Sequence, residues 1–452
     1  MRAEHHSERC NLAMTEVLLT QPPIPPPMNS FVKDVVISPP LGLCYISSSI
    51  SHSLGVDADI VDCAILNLDK DGVKNEIKKR DPKIIGISTS THTYKNALKI
   101  ASLAKELNSD TTTVLGGPHS SILDRDTLQN EPVDIVVRQE GELTMIDLTN
   151  LRVFGKGDIS SIRGITYRKE GSIRRNPDQP LIEDLDVLPF PARHLLPLSL
   201  YKVPATIITG RGCPSRCIFC AAKALSGERY RVRSPDNVVA ETKQMLSEIK
   251  PQFLFIADDT FTIFHDRTKE ICKRYKELAI KWVCESRVNT INEMIIKEMV
   301  GSGCYMIQFG VESGSQEILD SIRKGITIEQ IRKAVRLCRE HGVKAVCSFM
   351  IPHPDDTLDT IKQTKSLMEE LRDLDAQIFV SLTTPFPGTY LYDNATKLGL
   401  EYVTHDTDEF NLATPVIRTK HLSIEDIEKA FDELSEISLQ TFPAEMVKDY
   451  TN

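Results

Sequence analysis

Short apolar runs alternate with amphipathic stretches over the first third of the chain. Strands are predicted at residues 15–19, 58–62, 83–89, 112–116 and 134–138. A helix is predicted over residues 94–108, because the apolar residues there fall on one face at helical spacing. Val- and Ile-rich strands that alternate with helices are typical of a parallel sheet covered on both faces. The pattern predicts a doubly wound α/β domain over residues 14–150, with its ligand crevice at the carboxyl ends of the strands.

A second run of strand and helix patterns follows a linking segment. Residues 151–200 contain a predicted hairpin that turns at Glu170-Gly171, and then a stretch rich in Pro and Asp. Between residues 201 and 400, strands are predicted at 205–209, 253–257, 281–285, 306–311, 343–350 and 377–383. Six consecutive strand–helix units predict a partial (β/α)6 barrel of the TIM type, whose active face lies at the carboxyl ends of its strands.

The ends of the chain and the helix boundaries are predicted from local signals. Residues 1–13 are predicted to be a disordered extension, and residues 401–452 a small helical segment that opens at Ser423. Ser234, Thr290 and Thr327 are predicted to cap helix N-termini. Gly342 stands where a helix C-terminus needs a left-handed residue.

Composition narrows the classes of partner and the compartment. The chain has 54 Lys and Arg against 63 Asp and Glu, without a basic block, which argues against binding to nucleic acid or an anionic membrane surface. Its apolar runs have the length of strands, so no membrane span is predicted. The first residues lack the apolar core of a signal peptide, which favours a cytoplasmic protein. The eleven cysteines are therefore expected to be thiols or metal ligands.

Three cysteines follow the first barrel strand at the spacing C-x3-C-x2-C: Cys213, Cys217 and Cys220. Thiols this close together in a reducing compartment indicate a metal, and a cubane iron–sulfur cluster normally takes four cysteines. Three ligands would leave one iron of a [4Fe–4S] cluster open to a substrate or cofactor. Zinc is one alternative, but residues 205–252 contain no fourth Cys or His to complete its ligand set. Chance spacing is the other alternative.

The cysteine loop resembles the signature of the radical S-adenosylmethionine (SAM) superfamily, in which an aromatic residue, here Phe219, precedes the last cysteine. The resemblance covers most of residues 200–400. It implies that SAM binds the open iron and is cleaved, after one-electron reduction, to methionine and a 5′-deoxyadenosyl radical that abstracts hydrogen from an unactivated carbon. It also implies SAM contacts at the ends of the next three strands, from Asp258, Asp259, Thr260, Glu285, Arg287, Glu312 and Ser313. Salt bridges between strand ends are the alternative role for these charged residues.

Four segments of the first domain resemble the cobalamin-binding domain of one large radical SAM subclass. They are PPLGLCYISSSI (39–50), GISTSTHTY (86–94), VLGGPHSS (114–121) and VVRQEGE (136–142). The resemblance implies a Rossmann- or flavodoxin-like fold with cobalamin contacts from Leu41, Ser88, Thr89, Ser90, Gly116, Gly117 and Glu140. The D-x-H-x-x-G motif of many cobalamin enzymes is absent, which fits this subclass, and His92 and His119 are interpreted as ordinary loop residues. A flavodoxin-like domain with another ligand, or with none, is the alternative.

The subclass includes C-methyltransferases and the anaerobic magnesium-protoporphyrin cyclase. The favoured function is C-methylation of an unactivated carbon with a [4Fe–4S] cluster, SAM and cobalamin. A cobalamin-dependent radical cyclase or oxidase is the second hypothesis, and a non-catalytic cobalamin-binding regulator is the third. The resemblance implies an electron donor such as flavodoxin or ferredoxin. The substrate is open among peptides, lipids, tetrapyrroles and natural-product intermediates. Tyr305, Phe309 and Tyr390 are candidates for a place near its pocket, but each is interpreted as a core residue instead.

Overall fold

The computed structural model describes residues 15–25 and 38–442. The predicted extension at residues 1–13 therefore lies outside the described residues. The first part of the chain forms these elements: β1 (Val17–Gln21), α1 (Leu41–Leu54), β2 (Ala58–Asp62), α2 (Lys70–Arg80), β3 (Ile84–Ser88), α3 (Tyr94–Leu107), β4 (Thr112–Gly116), α4 (Pro118–Ile122), α5 (Asp124–Thr127), β5 (Ile135–Val137), α6 (Glu142–Phe154), β6 (Ile165–Lys169) and β7 (Ser172–Arg175).

These strands form one sheet in the order β2-β1-β3-β4-β5-β6-β7, in which β1 to β5 are parallel. Successive residues of a strand face opposite sides, so Leu19 packs with α1 and α6 while Leu18 packs with α2 and α3. Burial of both faces explains the continuous Val and Ile runs of the sequence. The doubly wound fold class predicted for this domain is confirmed.

The hairpin extends this sheet and is not confined to a linking segment. β6 pairs antiparallel with β5, and β7 pairs with β6. Ile165 and Tyr167 alternate into the core beneath α6, whereas β7 exposes three of its four residues. The sequence analysis separated the hairpin from the domain because one weakly apolar strand pair carries no sign of the sheet that it joins.

The second part of the chain forms β8 (Thr206–Ile207), β9 (Gly210–Arg211), α7 (Ala222–Ser226), β10 (Arg231–Val232), α8 (Pro235–Glu248), β11 (Leu254–Ile256), α9 (His265–Leu278), β12 (Trp282–Ser286), α10 (Glu293–Gly301), β13 (Cys304–Glu312), α11 (Gln316–Ser321), α12 (Ile328–Glu340), β14 (Lys344–Ile351), α13 (Leu358–Asp373), β15 (Gln377–Leu382), α14 (Tyr390–Asp393), β16 (Leu400–Tyr402), β17 (Ile417–Thr419) and α15 (Ile424–Gln440). Single-turn 3₁₀ helices span Ile159–Ser161, Leu185–Val187, Arg193–Leu195, Leu198–Leu200, Phe261–Ile263, Val288–Thr290, Thr396–Leu398 and Thr407–Glu409.

Six parallel strands form the partial barrel in the order β8-β11-β12-β13-β14-β15, as predicted. The helices pack on one continuous core that includes Trp282, Phe309 and Phe349. Two short antiparallel ribbons, β9–β10 and β16–β17, were not predicted, because strands of two or three residues leave no periodic pattern. Within residues 15–25 and 38–442, no helix is both long enough and apolar enough to span a membrane.

Most of the predicted helix boundaries agree with the structure. Ser234 and Thr327 cap α8 and α12, and Gly342 has φ of +69° just after α12. Thr290 is a correction, because α10 begins at Glu293 with Asn292 as its cap. The Thr290 hydroxyl instead donates to the carbonyl of Arg287 at 2.8 Å.

Candidate functional site

The carboxyl ends of the barrel strands surround a cavity of about 840 Å³. Cys213, Cys217 and Cys220 all line it, on the loop that follows β9. The family of this loop implies a [4Fe–4S] cluster, and the donor set fits one: the cavity lining includes three cysteines and, among the described residues, no further Cys or His. No three His, Cys, Asp or Glu side chains of the described residues are close enough to hold a single metal ion. A cluster suits wider spacing, because each thiolate binds a different iron.

Backbone contacts fix the course of the cysteine loop. Gly212 has φ of +90°, and a Cβ atom there would lie 2.3 Å from the carbonyl oxygen of Arg229. The Cys213 amide donates to the Gly227 carbonyl at 3.3 Å, and the Ile218 amide donates to the Ile322 carbonyl at 3.1 Å. The loop is thus tied both to the end of α7 and to the residue after α11, which holds the three thiols at the barrel mouth.

Five of the seven predicted SAM-binding residues line the same cavity: Asp259, Thr260, Glu285, Arg287 and Glu312. Arg287 lies beside the cysteine loop, with its Nη1 atom 3.8 Å from Cys217 Sγ. Glu312 accepts a buried hydrogen bond from Lys324 at 2.5 Å. Burial raises the pKa of Glu285 to about 7, and the nearby charges of Asp259 and Asp258 add to this effect. The cavity therefore offers both carboxylates and a guanidinium to a zwitterionic ligand.

Asp258 and Ser313 are not among the residues that line the cavity, and their predicted SAM contacts stay predictions. Asp258 is 1% exposed and accepts hydrogen bonds from the amides of Thr209 and Gly210, at 2.6 and 3.0 Å, and from the Tyr230 hydroxyl at 2.6 Å. Its carboxylate thus anchors the start of the cysteine loop. Ser313 turns away toward Thr364, with 3.2 Å between the two hydroxyl oxygens. Two adjacent acidic residues at a strand end face opposite directions, and the sequence does not say which one enters the cavity.

A second cavity, of about 470 Å³, opens at the carboxyl ends of β3, β4 and β5. Four of the seven predicted cobalamin-binding residues line it: Ser88, Gly116, Gly117 and Glu140. Its inner wall is apolar, with Leu19, Val114, Val137 and Met145 reaching in from the sheet and α6. This lining fits the family's cobalamin, because glycines allow close backbone approach and an apolar slot suits a flat aromatic group.

Leu41, Thr89 and Ser90 are not among the residues that line this second cavity, and their predicted cobalamin contacts stay predictions. Leu41 packs with Tyr45 and with apolar residues of the linking segment. The Thr89 hydroxyl is fully buried and donates to the Gly116 carbonyl at 2.7 Å, while Ser90 bonds with Thr93 at the start of α3. Small polar residues at strand ends often hold the loop itself, and their sequence pattern is the same in either role.

His92 and His119 line neither cavity. Burial lowers the pKa of both, that of His119 to about 4. His119 Nδ1 lies 3.1 Å from the Thr91 hydroxyl, and its ring lies 4.2 Å from that of Tyr94. Their interpretation as ordinary loop residues stays a prediction.

Two residues of the site were missed or misjudged from the sequence. Gln139 lines both cavities, and its Nε2 atom donates to the Ala224 carbonyl of the cysteine-loop segment at 3.2 Å. Its φ of +58° turns the chain out of β5, and an isolated Gln gives no signal of such a position. Tyr390 lines the large cavity beneath the Arg323 guanidinium, so its interpretation as a core residue was wrong. Phe309 is a core residue, as predicted.

Comparisons with known proteins identify the family. The Radical SAM superfamily model matches residues 207–368, and the B12 binding domain model matches residues 32–149. The chain is 36% identical over 433 residues to an uncharacterised methyltransferase of Pyrococcus horikoshii, and the match covers 94% of this chain and 93% of that protein. The chain belongs to the radical SAM superfamily, in its cobalamin-binding branch. The predicted cofactor set of a [4Fe–4S] cluster, SAM and cobalamin is thereby confirmed at the level of the family.

One further relative and one solved structure are similar to this radical SAM protein over most of its length. An anaerobic magnesium-protoporphyrin IX monomethyl ester cyclase of Rubrivivax gelatinosus is 28% identical, over 84% of this chain and 70% of that protein. The solved structure of the radical SAM methyltransferase TsrM of Kitasatospora setae, with cobalamin and a [4Fe–4S] cluster bound, matches with a TM-score of 0.74 at 17% identity. That match covers 96% of this chain and 90% of TsrM, so the two-domain architecture is shared over nearly the whole length.

Proposed function

We propose that this radical SAM protein is a cobalamin-dependent methyltransferase that transfers a methyl group to an unactivated carbon. The observation that carries the proposal is that one residue, Gln139, lines both cavities, of which one is lined by the three cysteines and the other by the glycine loops of the first domain. A reaction that needs two cofactors at one substrate requires both sites to open toward each other. The description of the Pyrococcus horikoshii relative as a methyltransferase supports this function.

In the proposed site Cys213, Cys217 and Cys220 hold the cluster, and the carboxylates and guanidinium of the large cavity hold SAM. When bound, the cluster and SAM would supply hydrogen abstraction from the substrate, and cobalamin would supply the methyl group. The protein's own part is to bind and orient. Glu285 accepts from the SAM ammonium, Arg287 pairs with its carboxylate, and Ser88, Gly116 and Gly117 shape the cobalamin pocket.

Incubation with SAM that carries a deuterated methyl group tests the proposal. The enzyme, reduced and supplied with cobalamin, is expected to give a product that carries the label. Mass spectrometry of extracts from a deletion strain and its complemented parent supplies the product to follow. A product that forms with SAM cleavage but without the label contradicts methyl transfer. Such a result favours a radical cyclisation or oxidation, which the cyclase of Rubrivivax gelatinosus makes the second candidate.

Radical SAM chemistry needs a one-electron reductant. We propose a flavodoxin or ferredoxin in this role. The substrate class stays open, and the cytoplasmic location stays a prediction. Pairwise assays with purified flavodoxin and ferredoxin, read as the rate of SAM cleavage, test the choice of donor.

The affinity of the cluster-loaded protein for SAM is expected to fall as the pH drops below about 7, the raised pKa of Glu285. An ammonium group stabilises the carboxylate, so binding at lower pH must displace a proton from Glu285, and affinity falls by up to about tenfold per pH unit. Glu285→Gln is expected to weaken binding and to flatten this profile. Dissociation constants on either side of that pH measure the effect, with the surface variant Glu270→Gln as control. A Glu285→Gln profile as steep as that of the unmodified protein contradicts the assignment.

A further inference from the structure

Four charged side chains meet beside the smaller cavity, where the first domain contacts the β9–β10 ribbon. Glu140 lies in the loop after β5 and Glu142 is the first residue of α6, while Arg211 and Arg231 come from β9 and β10. Their side chains are between 4% and 14% exposed. We name these four residues the interdomain charge cluster. Two carboxylates and two guanidiniums make it neutral as a whole.

The contacts within the interdomain charge cluster are interlocked. Arg231 donates to both carboxylate oxygens of Glu140, at 2.7 and 3.1 Å. Arg211 lies 3.2 Å from Glu140 and donates to Glu142 at 2.7 Å. Glu140 also accepts from the Ile182 amide at 2.8 Å. These partners give Glu140 a role that acts through the arginines, while its predicted direct contact with cobalamin stays a prediction.

The interdomain charge cluster joins the lining of the smaller cavity to the chain that leads into the cysteine loop. Glu140, Glu142 and Arg211 all line the smaller cavity, and the Arg211 guanidinium lies 5.2 Å from the ring centroid of Tyr45 in the same lining. On the other side, only Gly212 separates Arg211 from Cys213. The ribbon that carries both arginines has two residues per strand, so few backbone hydrogen bonds hold it. Besides Asp258 of the barrel, carboxylates of the first domain therefore also hold the start of the cysteine loop.

Buried ion pairs make such a link rigid. Removing one member of a buried pair leaves an uncompensated charge in a medium of low polarity, so the partners move together or not at all. A ligand that orders the loop after β5 would therefore also order the start of the cysteine loop. The second ligand would then bind to a chain that is already ordered, so its binding would cost less conformational entropy.

We propose that Arg211 and Glu142 are positioning residues that couple the two cofactor sites, so that occupancy of the cobalamin cavity sets the position of the cysteine loop and raises the affinity for SAM. This inference rests on the two-cofactor part of the proposed function and not on methyl transfer. The interdomain charge cluster transmits the effect, because it joins the lining of the smaller cavity to Arg211, two residues before Cys213.

The test is the dissociation constant of SAM, measured on the full chain with its cluster reconstituted, without and with hydroxocobalamin. Hydroxocobalamin is expected to tighten SAM binding about tenfold in the unmodified protein, within the usual range of coupling between sites. Glu142→Gln keeps the shape of the side chain but removes its charge, and is expected to reduce the ratio of the two constants to about one. Arg211→Lys keeps the positive charge but loses the contact of one guanidinium with both Glu140 and Glu142. This variant is expected to give an intermediate ratio of the two dissociation constants.

Lys95→Gln is the matched control. Lys95 on α3 also links the two parts of the chain, by ion pairs with Asp406 and Asp408, but it is exposed and lines neither cavity. Its variant is expected to keep the full ratio. A merely structural role would lower the stability of Glu142→Gln and leave the ratio unchanged. The proposal would be overturned if hydroxocobalamin left the SAM dissociation constant of the unmodified protein unchanged. It would also be overturned if the Glu142 and Arg211 variants both kept the full ratio of the two constants. Either result holds whatever the labelled-methyl experiment gives.

Discussion

Replacing any one of Cys213, Cys217 and Cys220 by alanine is expected to remove the broad visible absorption of iron–sulfur protein prepared without oxygen, and to reduce SAM cleavage to background. A [4Fe–4S] cluster held by three thiolates already lacks one protein ligand. Loss of a second leaves two irons without protein ligands at a cavity mouth, where solvent competes for them. Iron and sulfide content, the visible spectrum and the release of 5′-deoxyadenosine measure the result.

The control for this experiment is a cysteine that lies away from the cavity. Cys338 on α12 is fully buried in the barrel core. Cys338→Ala is expected to keep the cluster and SAM cleavage, at a cost of about 1 kcal/mol in the free energy of unfolding. Four irons per chain in all three cavity variants would contradict the ligand assignment.

The fold was predictable because its signals repeat. Six Val- and Ile-rich strands, each followed by a helix, leave one arrangement in which both faces of a parallel sheet are buried, and the structure has it. The hairpin of β6 and β7 was not assigned to the first sheet, because pairing partners distant in sequence leave no local pattern. Thr290 and Asn292 are equally suitable caps, and only packing of the preceding turn decides between them.

The candidate site was predictable where several residues of one chemical type lie close together in the sequence. Three cysteines within eight residues allow few interpretations, and all three line the large cavity. A single polar residue, in contrast, allows several interpretations. Asp258 and Asp259 are neighbours, yet one anchors the cysteine loop through four hydrogen bonds and the other lines the cavity. The interdomain charge cluster was beyond sequence reasoning, because the pairing of Glu142 with Arg211 depends on how the two domains meet.

Gly117→Ala is expected to weaken cobalamin binding by about tenfold or more, which is about 1.4 kcal/mol, while the cluster content of the protein stays unchanged. Gly117 has φ of +85° and ψ of 179°, a region that residues with a Cβ atom rarely adopt. A Cβ atom there would lie 2.7 Å from both the amide nitrogen and the carbonyl oxygen of Thr89. Since Ser88 and Gly117 both line the smaller cavity, any shift that relieves the clash changes the shape of that cavity.

The loops on either side of this contact cannot yield easily. The Thr89 amide donates to the Gly116 carbonyl at 2.8 Å, and the His119 amide donates to the Thr89 carbonyl at 3.2 Å. Gly171→Ala at the tip of the hairpin isolates the cost of the backbone conformation, because Gly171 has φ of +73° but no atom within 4 Å of its Cβ position. That control is expected to lose about 1 kcal/mol of stability and no cobalamin affinity. Corrinoid titration of both variants decides the matter: equal affinities would show that the close approach of Gly117 to Thr89 does not shape the pocket, whereas a deficit confined to Gly117→Ala assigns these glycine loops to cobalamin.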